Sequence, residues 1–298
     1  MMTTIELSTC NHLGDTVCLL AAMLNAADVL PDVNFVYKGN YPAVFYFSPL
    51  KPNYIGHVDR KISVQYRDHG VKDNTAPTGN LVEGLTASLF RHLDIQYSCK
   101  HRKPVLYLTD GEIDDLSHFK RCVVLNSNCQ QHSSVKGYPW WREVTALMSS
   151  TQFVLIGGDP RDVRDDSCFG SNVVDLRGQT SIRGLFALVA NASAVLTPPS
   201  AVCHIAAALD KPCVTITGAR EPTKLTDYPT TLHMTSVCQG RRRYDRHFGC
   251  MHFVTSDSRS CEKTSLINGR PYADCMTCIP PENVVTMLHQ AMLDSELF

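Results

Sequence analysis

Three short stretches of this chain place small polar and ionisable residues where a strand gives way to a helix. The first is Asn11-His12-Leu13-Gly14-Asp15-Thr16-Val17. A glycine there lets a ligand approach the backbone, and a carboxylate at a helix start is favoured by the helix dipole. Asp15 is then either a helix cap or a base facing a cleft, taking a proton from an acceptor hydroxyl. The second stretch is Leu125-Asn126-Ser127-Asn128, followed by Lys136-Gly137-Tyr138-Pro139-Trp140-Trp141. Ser127 and Asn128 could donate to a phosphate and Lys136 could supply a point charge; the same residues also fit a solvated loop. Trp140 reads as a packing residue. The third is Pro198-Pro199-Ser200-Ala201-Val202-Cys203-His204. Ser200 is a cap, a ligand contact or both, and the His204 ring, in the first helical turn, can reach a bound diphosphate.

A fourth group is less determinate. Among thirteen cysteines, Cys275 and Cys278 form a CxxC pair, with Cys250 and Cys261 as further ligands for a structural zinc ion. Reduced thiols packing a loop-rich segment, 238–278, explain the same residues. The run Arg241-Arg242-Arg243-Tyr244-Asp245-Arg246 is either a solvated face or a clamp for an acidic ligand such as sugar phosphates or a nucleic-acid backbone.

The elements that must position these groups alternate. Apolar runs predict strands at Thr4–Ser8, Asn34–Tyr37, Lys61–Tyr66, Val105–Leu108, Cys122–Asn126, Phe153–Ile156, Val173–Leu176, Ala194–Leu196 and Cys213–Ile216. Helical spacing predicts helices at Asp15–Leu30, Leu81–Leu93, Trp140–Met148, Ser181–Ala190 and Glu282–Leu293, besides the one that opens at Ser200. Strand–helix alternation means parallel, doubly wound sheets. The expected division is 1–118, 119–280 and a terminal helix within 281–298. The Asp175–Pro222 stretch puts a polar turn at the carboxyl end of a strand and the amino end of a helix, where an open parallel sheet takes a phosphate-bearing ligand. Hydrophobic residues make up 44% and charged residues 19%, with a formal net charge of -1, so no global field marks a nucleic-acid binder. The odd cysteine count, with Cys18, Cys122, Cys203 and Cys213 in apolar runs, fits a reducing compartment better than a disulfide framework. No apolar run spans a bilayer and no leader pattern opens the chain, so a cytoplasmic protein is expected, in the host cytoplasm if the source is viral.

Taken together the motifs resemble glycosyltransferase family 9, the ADP-heptose:lipopolysaccharide heptosyltransferases. Gly14-Asp15-Thr16-Val17 matches the family's opening motif. Ser127, Asn128, Lys136 and Trp140 match its strand end with lysine and tryptophan. Leu176-Arg177-Gly178-Gln179-Thr180-Ser181 fits its Leu-x-Gly-x-Thr-Ser segment, and Ser200 to Leu209 fits its Asp-Ser/Thr-Gly-x-x-His-x-Ala-Ala-Ala-Leu motif. Pro199 stands where the family has an aspartate, and Ala201 where it has a glycine. The resemblance implies a GT-B fold, with two Rossmann-like parallel-sheet domains facing a cleft. It also implies an inverting transfer, independent of metal or any catalytic cofactor, from an ADP- or UDP-linked sugar. Asp15 would be the base, beside an acceptor loop of Asn11, His12 and Gly14. Ser127, Asn128, Lys136, Ser200, Ala201 and His204 would hold the diphosphate, and Thr180 and Ser181 would lie near the base or ribose. Domain closure would exclude water. The acceptor would be an envelope saccharide or lipid-linked saccharide; a hydroxymethylated pyrimidine in viral DNA is an alternative, and an inactive nucleotide-binding module is another.

Overall fold

The computed structural model describes residues 2–10, 12–52, 54–65, 79–127, 136–158, 169–218, 222–236 and 263–295. The first half opens with strand β1 (Thr3–Ser8), helix α1 (Leu13–Val29), then β2 (Val33–Tyr37), β3 (Lys51–Pro52), β4 (Arg60–Ser63), α2 (Leu81–Leu93) and the short α3 (Asp110–Asp114). Its strands form one sheet in the order β3-β2-β1-β4, and every pair is parallel. The second half runs β5 (Val123–Asn126), α4 (Trp141–Leu147), β6 (Phe153–Ile156), β7 (Val173–Asp175), α5 (Ile182–Asn191), β8 (Ala194–Thr197), α6 (Ala201–Ala208), β9 (Cys213–Gly218) and β10 (Thr231–Thr235). Its sheet order is β10-β9-β8-β5-β6-β7, again parallel throughout. An antiparallel hairpin of β11 (Thr264–Ile267) and β12 (Arg270–Ala273) leads through α7 (Asp274–Thr277) to α8 (Pro281–Ser295).

Strands β5, β6, β8 and β9 read as continuous apolar runs because both of their faces are covered. Val123, Leu125, Phe153, Leu155, Ala194 and Leu196 point into a core closed by α4 and α8, with Trp141, Val144, Val284 and Leu288. Cys122, Val124, Val154 and Val195 point the other way, into a second core that continues through α6 and α1 to Leu7, Phe35 and Ile62 of the first sheet. Helix α1 therefore has no solvent face over most of its length. Residues Asp15 to Ala26 are all buried, which is why it lacks a clear polar stripe. Asn25, in the middle of this helix, is satisfied by Thr86 Oγ1 at 3.1 Å, the His101 carbonyl at 3.0 Å and the Lys100 and His101 amides.

Three details depart from the sequence expectation. Helix α1 begins at Leu13 with His12 as its N-cap, so Asp15 is a first-turn residue and not the cap. Residues 105–108 form no strand; Leu106 is buried because this segment covers the shared core. Trp140 packs partly buried against the second core, as expected, with its Nε1 donating to the Thr277 carbonyl at 3.2 Å, and Trp141 beside it is a buried member of that core. The short edge strand β3, edge strand β10 and the β11–β12 hairpin were not anticipated, since each is short or only half-buried.

Polar ties reinforce the shared core. Arg183 on α5 reaches the first half, donating from Nε and Nη2 to the Glu112 carboxylate at 2.7 Å each. It also donates to the Tyr107 carbonyl at 2.8 Å and the Ala43 carbonyl at 3.3 Å, and its guanidinium lies 5.3 Å from the Phe47 ring centroid. The fork geometry is what arginine supplies and lysine does not. These bonds hold the Glu112 carboxyl at about 2, below its ordinary 4.5. The stabilisation is thus complete above the ordinary value and lost as pH falls through about 2. Arg183→Met is expected to lower unfolding stability by about 2 kcal/mol and Glu112→Gln by about 1 kcal/mol in urea at neutral pH, the double variant losing less than the sum. Additive losses would show that the pair does not act as a unit.

Candidate active site

Each parallel sheet has one place where its connectivity reverses. In the second sheet the chain runs outward from β5 to β6 and β7, then returns to lay β8 on the other side of β5. In the first it runs from β1 to β2 and β3, then returns to lay β4 against β1. The crevice outside the carboxyl ends of the two diverging strands is where open α/β sheets bind ligands. Seven of the predicted residues, Gly14, Asp15, Ser127, Lys136, Ser200, Ala201 and His204, lie at these two points.

At the β5–β8 point, α6 begins immediately after β8. Ser200 caps it, accepting from the Val202 amide at 3.3 Å. The Ser200 hydroxyl is also 2.9 Å from Thr197 Oγ1 and accepts from Asn126 Nδ2 at 3.2 Å. The ends of β5 and β8 are thereby tied together at the helix amino terminus. Lys136 Nζ donates to the Pro199 carbonyl at 3.2 Å. The chain beyond that lysine is anchored by Tyr138, which is buried and donates to the Ile279 carbonyl at 3.0 Å. Ser127 Oγ is shielded from solvent and has no hydrogen-bond partner among the described residues. A buried hydroxyl left so is costly unless a ligand or water meets it.

At the β1–β4 point, the loop after β1 carries Cys10 and leads into the first turn of α1. Asp15 is 7% exposed, and the Cys10 thiol donates to its Oδ2 at 2.8 Å. Burial, and then the adjacent Asp15 charge, push that thiol up to about 12, so it stays protonated as a donor. The two points meet at Gly14. A Cβ at this position would lie 2.9 Å from His204 Cδ2, 3.2 Å from Ala201 Cα and 3.6 Å from Ala201 N. The amino-terminal turns of α1 and α6 are therefore in direct contact. His204 itself is 7% exposed, with Nδ1 2.9 Å from the Tyr228 hydroxyl.

Comparison with known proteins decides the family. The model of glycosyltransferase family 9 (heptosyltransferase) matches residues 52–251, more than half of the chain. The chain belongs to that family. No curated protein sequence matches at a significant level. Among solved structures, the ADP-heptose lipopolysaccharide heptosyltransferase II of E. coli superposes with a TM-score of 0.63 at 14% identity, covering 99% of this chain and 100% of its own. A family 9 glycosyl transferase from Veillonella parvula gives 0.70 at 11% identity, covering 98% of each chain. The E. coli heptosyltransferase WaaC, determined with ADP, gives 0.60 at 13% identity and 100% coverage of both. The fold is thus GT-B-like, and the chain is a glycosyltransferase.

Within this family 9 enzyme, the structure brings Gly14, Asp15, Ser127, Lys136, Ser200, Ala201 and His204 to the two meeting points. His12 is the exposed N-cap of α1, and its carbonyl accepts from the Thr16 amide at 3.1 Å. Thr180 and Ser181 stand apart, beyond the end of β7, two strands from β5; Ser181 caps α5 by accepting from the Gly184 amide at 3.0 Å. Asn11, Asn128, Cys250, Cys261 and the run 241–246 lie outside the described residues. Cys275 is buried beside Gly218 and Cys278 is exposed on the following turn; among the described residues no three potential ligands could hold a metal ion. The eight described cysteines are all free thiols, and no described helix is long and apolar enough to cross a membrane.

Sequence reasoning missed Cys10, Asn126 and Tyr228 as neighbours of the site. Cys10 lies five residues before Asp15 and Asn126 ends an apolar run, both locatable once the switch points are drawn. Tyr228 carries no local signal; only the path from β9 to β10 brings it to His204. Ordinarily Gly→Ala in a helix is favourable by about 1 kcal/mol. At Gly14 the opposite is expected, because the new methyl would meet backbone and a wedged ring: Gly14→Ala should lose about 1–3 kcal/mol of unfolding stability. A stability gain would show that the two helix ends are not in contact.

Proposed function

We propose that this glycosyltransferase moves a sugar, with inversion, from a nucleotide-diphosphate sugar to a saccharide hydroxyl, with Asp15 as the base. The observation that carries the proposal is the contact at Gly14, which sets a buried carboxylate beside a helix amino terminus furnished with Lys136, Ser200 and His204. One side of this site suits a proton acceptor and the other suits a departing anion.

In the proposed step, the Asp15 carboxylate takes the acceptor hydroxyl proton as the acceptor oxygen bonds to the anomeric carbon. The bond from that carbon to the diphosphate breaks, and its electron pair leaves on the diphosphate oxygen. The negative charge is met by Lys136, by the backbone amides at Ala201 in the first turn of α6, by the hydroxyls of Ser127 and Ser200, by Asn128 and by His204, with no metal ion required. The unpartnered Ser127 hydroxyl supports a ligand at this point. Thr180 and Ser181, two strands away, would contact the ribose or base, and a nucleoside diphosphate spans such a gap: about 10 Å at the usual strand spacing. The structures solved with ADP make an ADP-linked donor the first choice over a UDP-linked one. The acceptor would sit on residues 1–118 beside Asn11, His12 and Gly14, and the donor on 119–280. An envelope saccharide or lipid-linked saccharide is the proposed acceptor. The free thiols among the described residues fit the proposed reducing, cytoplasmic setting. A structural zinc ion on Cys250, Cys261, Cys275 and Cys278 is a separate proposal, tested by metal analysis of the purified chain; a content well below one per chain would reject it.

The decisive assay measures nucleoside diphosphate release from ADP- and UDP-linked sugars, in separate arms with envelope saccharide and with hydroxymethylated DNA. Asp15→Asn is expected to lower kcat by roughly 100- to 10,000-fold, with donor affinity little changed. Lys136→Ala is expected to raise the donor KM and lower kcat by about tenfold or more. Turnover only in the DNA arm would replace the saccharide acceptor. Tight nucleotide binding without turnover in any arm would leave a binding module and overturn the proposal.

A further inference from the structure

His204 is held from two sides. Its Nδ1 is 2.9 Å from Tyr228 Oη, and the two rings stand nearly perpendicular, 78°, with centroids 5.7 Å apart. The opposite ring edge, at Cδ2, faces the Gly14 backbone with no space for a Cβ between them. The Tyr228 hydroxyl also lies 3.6 Å from the Cys18 sulfur of α1. Tyr228 is 3% exposed and Cys18 is fully buried. Cys18, Tyr228 and His204 therefore form a short buried chain linking α1, the segment before β10 and α6.

Proton placement along this chain follows from donor and acceptor strength. Burial pushes both the Cys18 thiol and the Tyr228 phenol well above their ordinary values, so both keep their protons. A thiol sulfur is a weak acceptor, whereas a neutral imidazole nitrogen is a good one. The phenolic proton is best used on Nδ1, and the phenolic oxygen can then accept from the thiol. An Nδ1 that accepts carries no proton, so a ring with a single proton carries it on Nε2. Nε2 adjoins Cδ2, on the ring edge turned toward Gly14 and the meeting of the two helix ends.

We infer that Tyr228 is a positioning residue: it fixes His204 in the Nε2–H tautomer and so makes the ring a hydrogen-bond donor at the amino end of α6. A donor is what a departing diphosphate oxygen needs. The inference rests on the reading that His204 contacts the donor diphosphate. Tyr228 would touch no substrate. Its effect is exerted through the tautomer and angle of the ring.

The test uses the full chain labelled with ¹⁵N at histidine. Long-range ¹H–¹⁵N spectra at neutral pH, with His204 assigned from His204→Gln, should show a protonated Nε2 and an unprotonated Nδ1. Tyr228→Phe keeps the ring and removes the hydroxyl. It should shift His204 toward a mixture of tautomers and lower kcat about tenfold, as expected for loss of one orienting hydrogen bond, while far-UV dichroism stays that of the parent chain. An Nδ1–H tautomer in the parent chain would overturn the inference, as would a Tyr228→Phe variant with unchanged spectrum and kcat. Should Tyr228→Phe fail to fold, the parent spectrum still decides the tautomer. Wild-type kcat in His204→Ala would remove His204 from the reaction and with it any role for Tyr228 in catalysis. Loss of activity in His204→Ala together with an Nδ1–H parent spectrum would instead reject Tyr228 alone and leave the donor-site reading in place.

Discussion

Two helix amino termini touch at Gly14 and Ala201, and most of the arrangement around the site follows from that contact. Each terminus carries a partial positive charge from its unsatisfied amides. Bringing two such poles together is electrostatically unfavourable unless negative charge lies near them. Asp15, in the first turn of α1, supplies some of it. A bound diphosphate would supply more, which is a physical reason for a site of this shape to favour a dianionic ligand. The close approach also depends on the smallest residues. With no Cβ at Gly14 and only a methyl at Ala201, the two backbones come close enough for one ligand to reach both helix ends.

The same contact constrains how the halves of the molecule can move. Cores on the inner faces of the two sheets merge through α1 and α6, so Val17 and Cys18 share a cluster with Val202 and Cys203. Pulling α1 from α6 would expose those side chains, each worth roughly 1.5–3 kcal/mol when a full-sized apolar group is buried. The Arg183–Glu112 pair and the Lys103–Asp210 pair tie the connecting segment to the second half as well. Wide separation of the two halves would therefore break the core.

What was legible in the chain and what was not divides along physical lines. The strands of the second sheet announce themselves because burial on both faces demands unbroken apolar runs such as Val123–Leu125 and Val195–Leu196. The turn at Ser200 was legible because a capping hydroxyl between a strand and a helix has few alternatives. From the sequence Asp15 reads as cap or base, and the structure removes the cap by starting α1 two residues earlier. By contrast, residues 105–108 look like a strand because they are apolar, but their apolarity comes from covering the shared core. Tyr228 was invisible. A tyrosine followed by proline reads as a loop, and its approach to His204 is fixed by the crossover between β9 and β10, which no local pattern encodes.

The departure at Pro199 takes on a meaning once Lys136 is placed. Family motifs put an acidic side chain there, and a carboxylate beside a lysine would both orient the ammonium and cancel its charge. Here the Pro199 carbonyl accepts from Lys136 instead. A backbone carbonyl accepts from the ammonium without bringing a countercharge of its own. Proline also suits the position. Its fixed φ steers the turn that sets Ser200 as cap. Proline at this position thus brings no side-chain charge next to Lys136. Asp15 stands on the other side, with a thiol on its Oδ2 and the helix pole beneath it. The resulting polarity runs from a carboxylate on α1 to a cation at α6, across the line where a proton would leave an acceptor and a diphosphate would leave a sugar.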